Sequence, residues 1–320
     1  MSALIVDGKE MVKKLLPSLR EEVSAVARLL QRNPLLGIFL VGPTESSKKF
    51  TDIKIKMAGE VGIEAKRIEY PDSIKENELR KDIAEKLQKD NRKHDGYIFQ
   101  WPPPLSIGPR ILNAIPDEVD VDRMARDAVD RFRQGRETVL PPIVRAFQKI
   151  LEQEEFHERA PQIKGSRAVV VGYGGGDWVR LEGRENLQYR GWGMVGGEPV
   201  FTWLLQQGAS VIPCHQYTKR EDLEYYIRHA DIVFSAVGKK EFSILGEWIR
   251  EGAVVLDGGF SYDADGKGRG DITDYDAVKE RAAVYAPSPG GIGRLTVFFV
   301  LKNLIELVKR QRHYRLMHKI

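Results

Sequence analysis

The chain has 320 residues and a formal net charge of +4, from 50 Lys and Arg against 46 Asp and Glu. That slight basic excess suits anionic small molecules and is too weak and dispersed to indicate nucleic-acid binding. Hydrophobic content of 42% with 30% charged residues excludes general disorder, and the single cysteine, Cys214, excludes an internal disulfide and a cysteine-rich metal site.

The length suggests two domains, each with its own core. Apolar residues at helical spacing (Met11, Leu15, Leu16, Leu19, Val23, Val26, Leu30) predict a helix over 8–32. Pro17 lies inside it and either kinks it or splits it. The continuous apolar run Leu35–Val41 predicts a strand covered on both faces. A helix over 45–61, a strand over 64–70, a helix over 75–89 and a strand over 96–100 follow, and the last strand stops at Trp101-Pro102-Pro103-Pro104. This βαβαβ rhythm predicts a parallel sheet flanked by helices. A polar stretch over 123–138 precedes a second αβ series: helix 142–153, strands 167–171 and 209–213, helix 219–229, strands 231–237 and 253–257, and a final helix over 293–312. Residues 173–193 are rich in glycine and charge, show no period and read as an irregular loop. No apolar run is long enough for a bilayer and no signal peptide opens the chain, so a cytoplasmic protein without a membrane partner is expected.

Lys54 lies one turn after Phe50, on the same helix face. Gln100 ends a strand, and ligands of open α/β sheets gather beyond the carboxyl ends of strands. The proline segment after it predicts a rigid apolar wall beside Trp101, through Pro102 and Pro104. Together with Asp122 these residues offer an amine, an amide and a carboxylate around a flat heterocycle.

The order of motifs resembles that of the bifunctional methylenetetrahydrofolate dehydrogenase/cyclohydrolase family over nearly the whole length. Ser47…Phe50…Lys54 resembles S-x-x-Y-x-x-x-K, Gln100–Pro104 resembles Q-L-P-L-P, and Asp120-Val121-Asp122 resembles the D-V-D of P-x-K-D-V-D-G. Val195-Gly196-Gly197-Glu198-Pro199 resembles V-G-x-P, Cys214-His215…Thr218 resembles C-H-S-x-T, and Ala230–Gly238 resembles A-D-I-x-x-x-A-x-G. The run Pro287–Gly293 with Thr296 resembles P-V-P-G-G-V-G-P-M-T and is the most specific piece.

The resemblance implies two α/β domains with a cleft, the second a Rossmann-like doubly wound sheet. Residues 1–145 with 294–320 would form the catalytic, substrate-binding domain, and 146–293 the dinucleotide-binding domain. It implies Lys54 as the catalytic lysine, Gln100 as the amide that tunes it, and Asp122 as the carboxylate on the pterin. Phe50, Pro102, Pro104, Gly290 and Gly291 would line the substrate. Gly172, Gly174, Arg190, Val195, Gly196, Pro199, His215, Gln216, Gly238, Asp257, Gly259, Gly293 and Thr296 would hold NADP or NAD. A tetrahydrofolate derivative as substrate, a homodimer and no metal complete the expectation. Arg180, Arg184 or Arg190 would replace a missing cofactor-phosphate arginine, or the loop that holds them would cover the site or form a surface insertion.

This chain departs from the family pattern at several positions. Phe50 replaces a tyrosine, Arg123 and Met124 replace a small and an aromatic residue, and Val119 is an apparent insertion. Leu140-Pro141-Pro142 stands for P-C-T-P, Arg294 replaces a proline, Tyr173 an arginine and Gln216 a serine. NAD against NADP therefore stays open at this point. So do two alternatives to the folate dehydrogenase: a dehydrogenase of another one-carbon carrier, and a non-catalytic folate- or dinucleotide-binding protein.

Overall fold

The computed structural model describes residues 2–88, 93–104, 106–159, 161–173, 195–263 and 265–318. The chain opens with β1 (Leu4–Ile5) and α1 (Gly8–Leu30), which runs on through Pro17 as one helix. Then come β2 (Leu35–Val41), α2 (Glu45–Val61), β3 (Glu64–Tyr70), α3 (Glu76–Leu87), β4 (Gly96–Phe99) and α4 (Arg126–Arg133). After α5 (Pro142–Leu151) and α6 (Glu154–His157), the second series holds β5 (Arg167–Val171), α7 (Gly197–Gln206), β6 (Ser210–Cys214), α8 (Arg220–Arg228) and β7 (Ile232–Ser235). It continues with β8 (Ile244–Leu245), β9 (Val254–Asp257), β10 (Ser261–Tyr262), β11 (Gly268–Arg269), β12 (Ile272–Thr273), α9 (Tyr275–Arg281), β13 (Val284–Ala286) and α10 (Ile292–His318).

Two compact units result: Val12–Pro142 with Val297–Ile320, and Met1–Met11 with Ile143–Thr296. In the first, β3-β2-β4 form a parallel sheet, with Leu36 of β2 opposite Gly96 and Phe39 opposite Phe99. β2 is central, so both its faces are covered and Leu36, Ile38, Phe39, Leu40 and Val41 are buried. β3 is an edge strand, which is why Glu64, Lys66 and Glu69 are tolerated in it. The chain then returns beside β4, with a bridge from Asp120 to Tyr97 and Val121 N–H donating to the Tyr97 carbonyl at 3.0 Å. Asn303 of α10 fixes this return by donating to the carbonyls of Val121 and Leu140, both at 3.0 Å.

In the second unit all six strands are parallel, in the order β1-β13-β9-β7-β5-β6. β5 is flanked by β6 on one side and β7 on the other, which is the strand-order reversal of a doubly wound, Rossmann-like sheet. Apolar strand interiors such as Val169, Val233 and Val255 are almost fully buried. Phe147 of α5 packs edge-on to Trp203 of α7, with ring centroids 5.3 Å apart. Burying one such large side chain contributes about 1.5–3 kcal/mol.

The first domain expected from sequence begins at residue 1. β1 instead pairs with β13, so Met1–Met11 belong with the six-stranded sheet. A two-residue strand has no period to betray it, and its partner lies far along the chain. The polar stretch over 123–138 contains α4, whose Ala128 and Phe132 are buried beneath a mostly charged surface.

Candidate active site

α2 starts in a capping box. Thr44 Oγ1 accepts from Ser47 N–H at 3.1 Å, and Ser47 Oγ accepts from Thr44 N–H at 2.9 Å. The helix ends at Gly62 with φ of +86°. These fixed ends set the direction of Lys54. Its ammonium donates to Gln100 Oε1 at 2.7 Å. Gln100 is buried, just past the end of β4, and its backbone N–H donates to the Phe39 carbonyl at 2.8 Å. Its carboxamide nitrogen donates to the Trp101 carbonyl at 2.9 Å, which fixes Oε1 toward the lysine.

Asp122 lies close enough to act electrostatically on Lys54. Burial pulls the Lys54 amine below its ordinary pKa, and the Asp122 carboxylate acts in the opposite direction. Burial pushes Asp122 up, and Lys54 pulls it back down. The result is an amine and a carboxylate in a poorly solvated place, each shifted toward its neutral form, with one carboxamide between the helix and the strand end. Such a pair can exchange a proton with a bound reactant.

Phe50, Pro102 and Pro104 lie in the same unit; Phe50 and Pro104 are half-buried and Pro102 is exposed. Beside them Trp101 is only 2% exposed, so Pro102 and the half-buried Pro104 are what this segment presents at the surface. Asp120, two residues before Asp122, is buried and accepts from the N–H groups of Arg123 at 3.0 Å and Ala125 at 2.7 Å. Burial nonetheless lifts its pKa to about 7.

The second unit presents the carboxyl ends of β5, β7 and β9. Gly172 follows β5 with φ of +88°, and a Cβ there would sit 2.6 Å from the Ala236 carbonyl oxygen. Only glycine fits this close approach at the strand-order reversal. α7 begins at Gly197, capped by Gly196, with Pro199 buried in its first turn. Gly238, with φ of +63°, closes β7. These tight, side-chain-free turns at the reversal fit the pyrophosphate and rings of a dinucleotide.

Asp257, expected beside the cofactor, is fully buried. It accepts from Gly259 N–H at 3.0 Å, Asp271 N–H at 3.1 Å and Ile272 N–H at 2.9 Å, so it supports the loop from within. Asp271 is its neighbour. It accepts from Ser235 Oγ at 2.6 Å, Val237 N–H at 2.7 Å and Gly238 N–H at 2.8 Å. Burial and mutual repulsion push Asp257 well above the ordinary carboxylate range, and burial raises Asp271 too. Sequence reasoning missed Asp271. Its signal is an acid directly after the glycines of Gly268-Arg269-Gly270, inside what reads as a loop.

The other predicted cofactor residues have varied settings. His215 and Gln216 are exposed beyond β6, and His215 Nδ1 accepts from Tyr217 N–H at 3.2 Å. Val195 is half-buried, Gly293 is exposed, and Thr296 donates its hydroxyl to the Ile292 carbonyl within α10. Gly290 has φ of +116° and its carbonyl accepts from Gly8 N–H at 2.9 Å; Gly291 is buried beside Pro287. Gly290 and Gly291 belong to the second unit and Lys54 to the first. Gly174, Arg180, Arg184 and Arg190 lie outside the described residues. Among the described residues no group of three His, Cys, Asp or Glu could hold a metal ion. The Cys214 thiol is buried, and burial pushes it up to about 12.

Comparison with known proteins gives a consistent answer. Residues 6–122 match the sequence pattern of the tetrahydrofolate dehydrogenase/cyclohydrolase catalytic domain, and residues 184–312 match that of its NAD(P)-binding domain. The bifunctional protein FolD of Listeria innocua is 31% identical over 307 residues, covering 96% of this chain and 97% of that one. FolD of Geotalea daltonii is 34% identical over 313 residues, covering 97% and 100%. The crystal structure of the bifunctional methylenetetrahydrofolate dehydrogenase/cyclohydrolase FolD from Campylobacter jejuni superposes with a TM-score of 0.80 at 27% identity, covering 97% of this chain and 100% of that one. FolD of Trypanosoma brucei, solved with NADP and an inhibitor, gives the same TM-score and identity over 97% and 99%. The chain belongs to the tetrahydrofolate dehydrogenase/cyclohydrolase family.

Proposed function

We propose that the protein oxidises 5,10-methylenetetrahydrofolate to methenyltetrahydrofolate with NADP or NAD and hydrolyses that product to 10-formyltetrahydrofolate. The observation that carries this reading is the Lys54 ammonium on Gln100 Oε1 at 2.7 Å, in the field of Asp122. In this reading Asp122 accepts hydrogen bonds from the pterin ring, while Phe50, Pro102 and Pro104 pack on its flat faces. A bound NAD(P) supplies the acceptor for the hydride that leaves the methylene bridge. Gly172, Gly196, Pro199 and Gly238 would hold it, with Val195, His215, Gln216, Gly259, Gly293 and Thr296 near its edges. Asp257 and Asp271 hold the loops that meet it. Gly290 and Gly291 would let the chain pass close to the bound rings.

For hydrolysis, water must lose a proton as it adds to the methenyl carbon. Lys54 in its neutral form takes that proton, and burial favours this form. The ammonium then returns a proton to the ring nitrogen freed when the carbon–nitrogen bond breaks, and the added hydroxyl gives up its own to solvent. Gln100 keeps the amine aimed throughout. The first unit, with its lysine and carboxylate, is the substrate unit in this reading, and the six-stranded unit the dinucleotide one.

A homodimer working in the cytoplasm completes the reading, supported by the family resemblance; among the described residues no helix is long and apolar enough to cross a membrane. The test is absorbance at the methenyl band, with methylenetetrahydrofolate and NADP or NAD added to folded protein. A rising methenyl signal that then decays by hydrolysis is expected. Thermal stabilisation by folate or dinucleotide with no signal from either cofactor would overturn the reading.

A further inference from the structure

Arg123 follows the Asp122 carboxylate directly and has φ of +60°. A residue bearing a side chain rarely takes this left-handed conformation, and a glycine would take it freely. Arg123 is nevertheless 1% exposed and among the largest fully buried side chains described. A buried guanidinium on an unfavourable backbone needs a local reason, and its partners supply one.

Its Nη1 donates to the Asp117 carbonyl at 2.7 Å and the Asp120 carbonyl at 3.3 Å. Its Nη2 donates to Asp117 Oδ1 at 2.9 Å and Glu137 Oε2 at 2.6 Å. Arg131 of α4 donates to the same two carboxylates, at 2.5 Å and 3.0 Å, and Arg310 of α10 approaches Glu137 at 3.5 Å. Glu137 is itself nearly fully buried, with its other oxygen accepting from Thr138 and Val139 N–H. Burial alone would raise its pKa; the Val139 N–H and the Arg123 charge outweigh it and bring it down to about 2, so the network is ionised at working pH.

The guanidinium therefore joins chain before Asp122 (residues 117 and 120) to chain after it (residue 137). The backbone N–H of Arg123 also donates to the Asp120 carboxylate, which closes the turn from inside. Its hydrogen bonds go to residues 117, 120 and 137, whereas the charge that acts on Asp122 is that of Lys54. We infer that Arg123 is a positioning residue: its buried ion network with Asp117, Glu137 and Arg131 replaces the freedom of a glycine turn and holds Asp122 facing Lys54. The inference rests on the proposed folate reading, because it assigns the turn to the carboxylate that grips the substrate.

The test compares Arg123→Lys, Arg123→Gly and Glu137→Gln with the unsubstituted protein at saturating cofactor. Arg123→Lys keeps the charge and loses the fork; Arg123→Gly suits the backbone and loses the tether; Glu137→Gln keeps the shape and loses the ion pair. Each folded variant is expected to raise KM for methylenetetrahydrofolate about tenfold with kcat within about threefold, the signature of lost substrate positioning. In an Asp122→Asn background, Arg123→Lys should add less than about twofold, because the residue it positions is already altered. A merely structural arginine would lower the melting temperature and leave KM unchanged in every folded variant; that result, or a rise in KM that recurs in full in the Asp122→Asn background, overturns the inference. Should Arg123→Gly fail to fold, Arg123→Lys and Glu137→Gln give the same readout. Absence of turnover by the unsubstituted protein overturns the folate reading and this inference with it, whereas turnover with unchanged KM in the variants overturns the inference alone.

Discussion

The Lys54 ammonium and the Gln100 carboxamide oxygen are 2.7 Å apart, and the carboxamide is held from behind by its own bond to the Trp101 carbonyl. A neutral acceptor thus fixes the amine without adding a charge that would keep it protonated. Gln100→Glu changes only that. A carboxylate at this distance favours the ammonium and raises its pKa. The alkaline rise of cyclohydrolase rate should move to higher pH, read from the pH–rate profile. An unmoved profile would remove Lys54 from the proton transfer.

Asp271 gathers Ser235, Val237 and Gly238 at the end of β7 through three short hydrogen bonds. Asparagine would turn an NH2 group toward donors that need an acceptor. Asp271→Asn should lower stability by about 1–3 kcal/mol and raise KM for the dinucleotide about tenfold. Chemical denaturation and initial rates at varied dinucleotide concentration measure the two effects separately.

Buried acids also set the pH dependence of stability. Asp120, lifted to about 7 by burial, binds its proton more tightly folded than unfolded. The unfolded chain therefore holds fewer protons, and stability falls as pH rises from the ordinary aspartate value toward 7. His94 acts oppositely: burial, then the Lys66 charge, lower its pKa, so stability is lost as pH falls below its ordinary value of 6.5. Comparison with Asp120→Asn isolates the first effect. The fall in Tm between pH 5 and pH 7 relative to pH 5 should be several degrees shallower in the variant; equal slopes would place the Asp120 titration elsewhere.

Much of the framework was legible because its signals are local. The run Leu35–Val41 is apolar throughout because β2 is covered on both faces, and Glu45–Val61 announces its own start with Thr44 and Ser47. The Lys54–Gln100 pair was legible through the resemblance of Ser47…Phe50…Lys54 and Gln100–Pro104 to the family motifs, and Gln100 stands where a ligand of a parallel sheet is expected, at a strand end. Other features depend on partners distant in sequence. β1 is two residues long and exists through β13. α7 follows a long sequence segment without period, so its start at Gly197 has no local signal to announce it. Asp257 reads as a strand-end acid facing a ligand, yet backbone N–H groups of residues 259, 271 and 272 enclose it. Arg123 reads only as the replacement of a small residue at the start of a polar stretch, and the fold brings Asp117, Arg131 and Glu137 around it.

The central claim is that the Lys54 amine moves the protons of folate hydrolysis. The direct measurement is decay of methenyltetrahydrofolate absorbance with the protein and with Lys54→Met, at matched concentration and with folding checked by Tm. The account predicts at least a 100-fold loss of cyclohydrolase rate in the variant, the scale of a lost general acid–base group. A folded Lys54→Met protein that hydrolyses methenyltetrahydrofolate at the unsubstituted rate would contradict it.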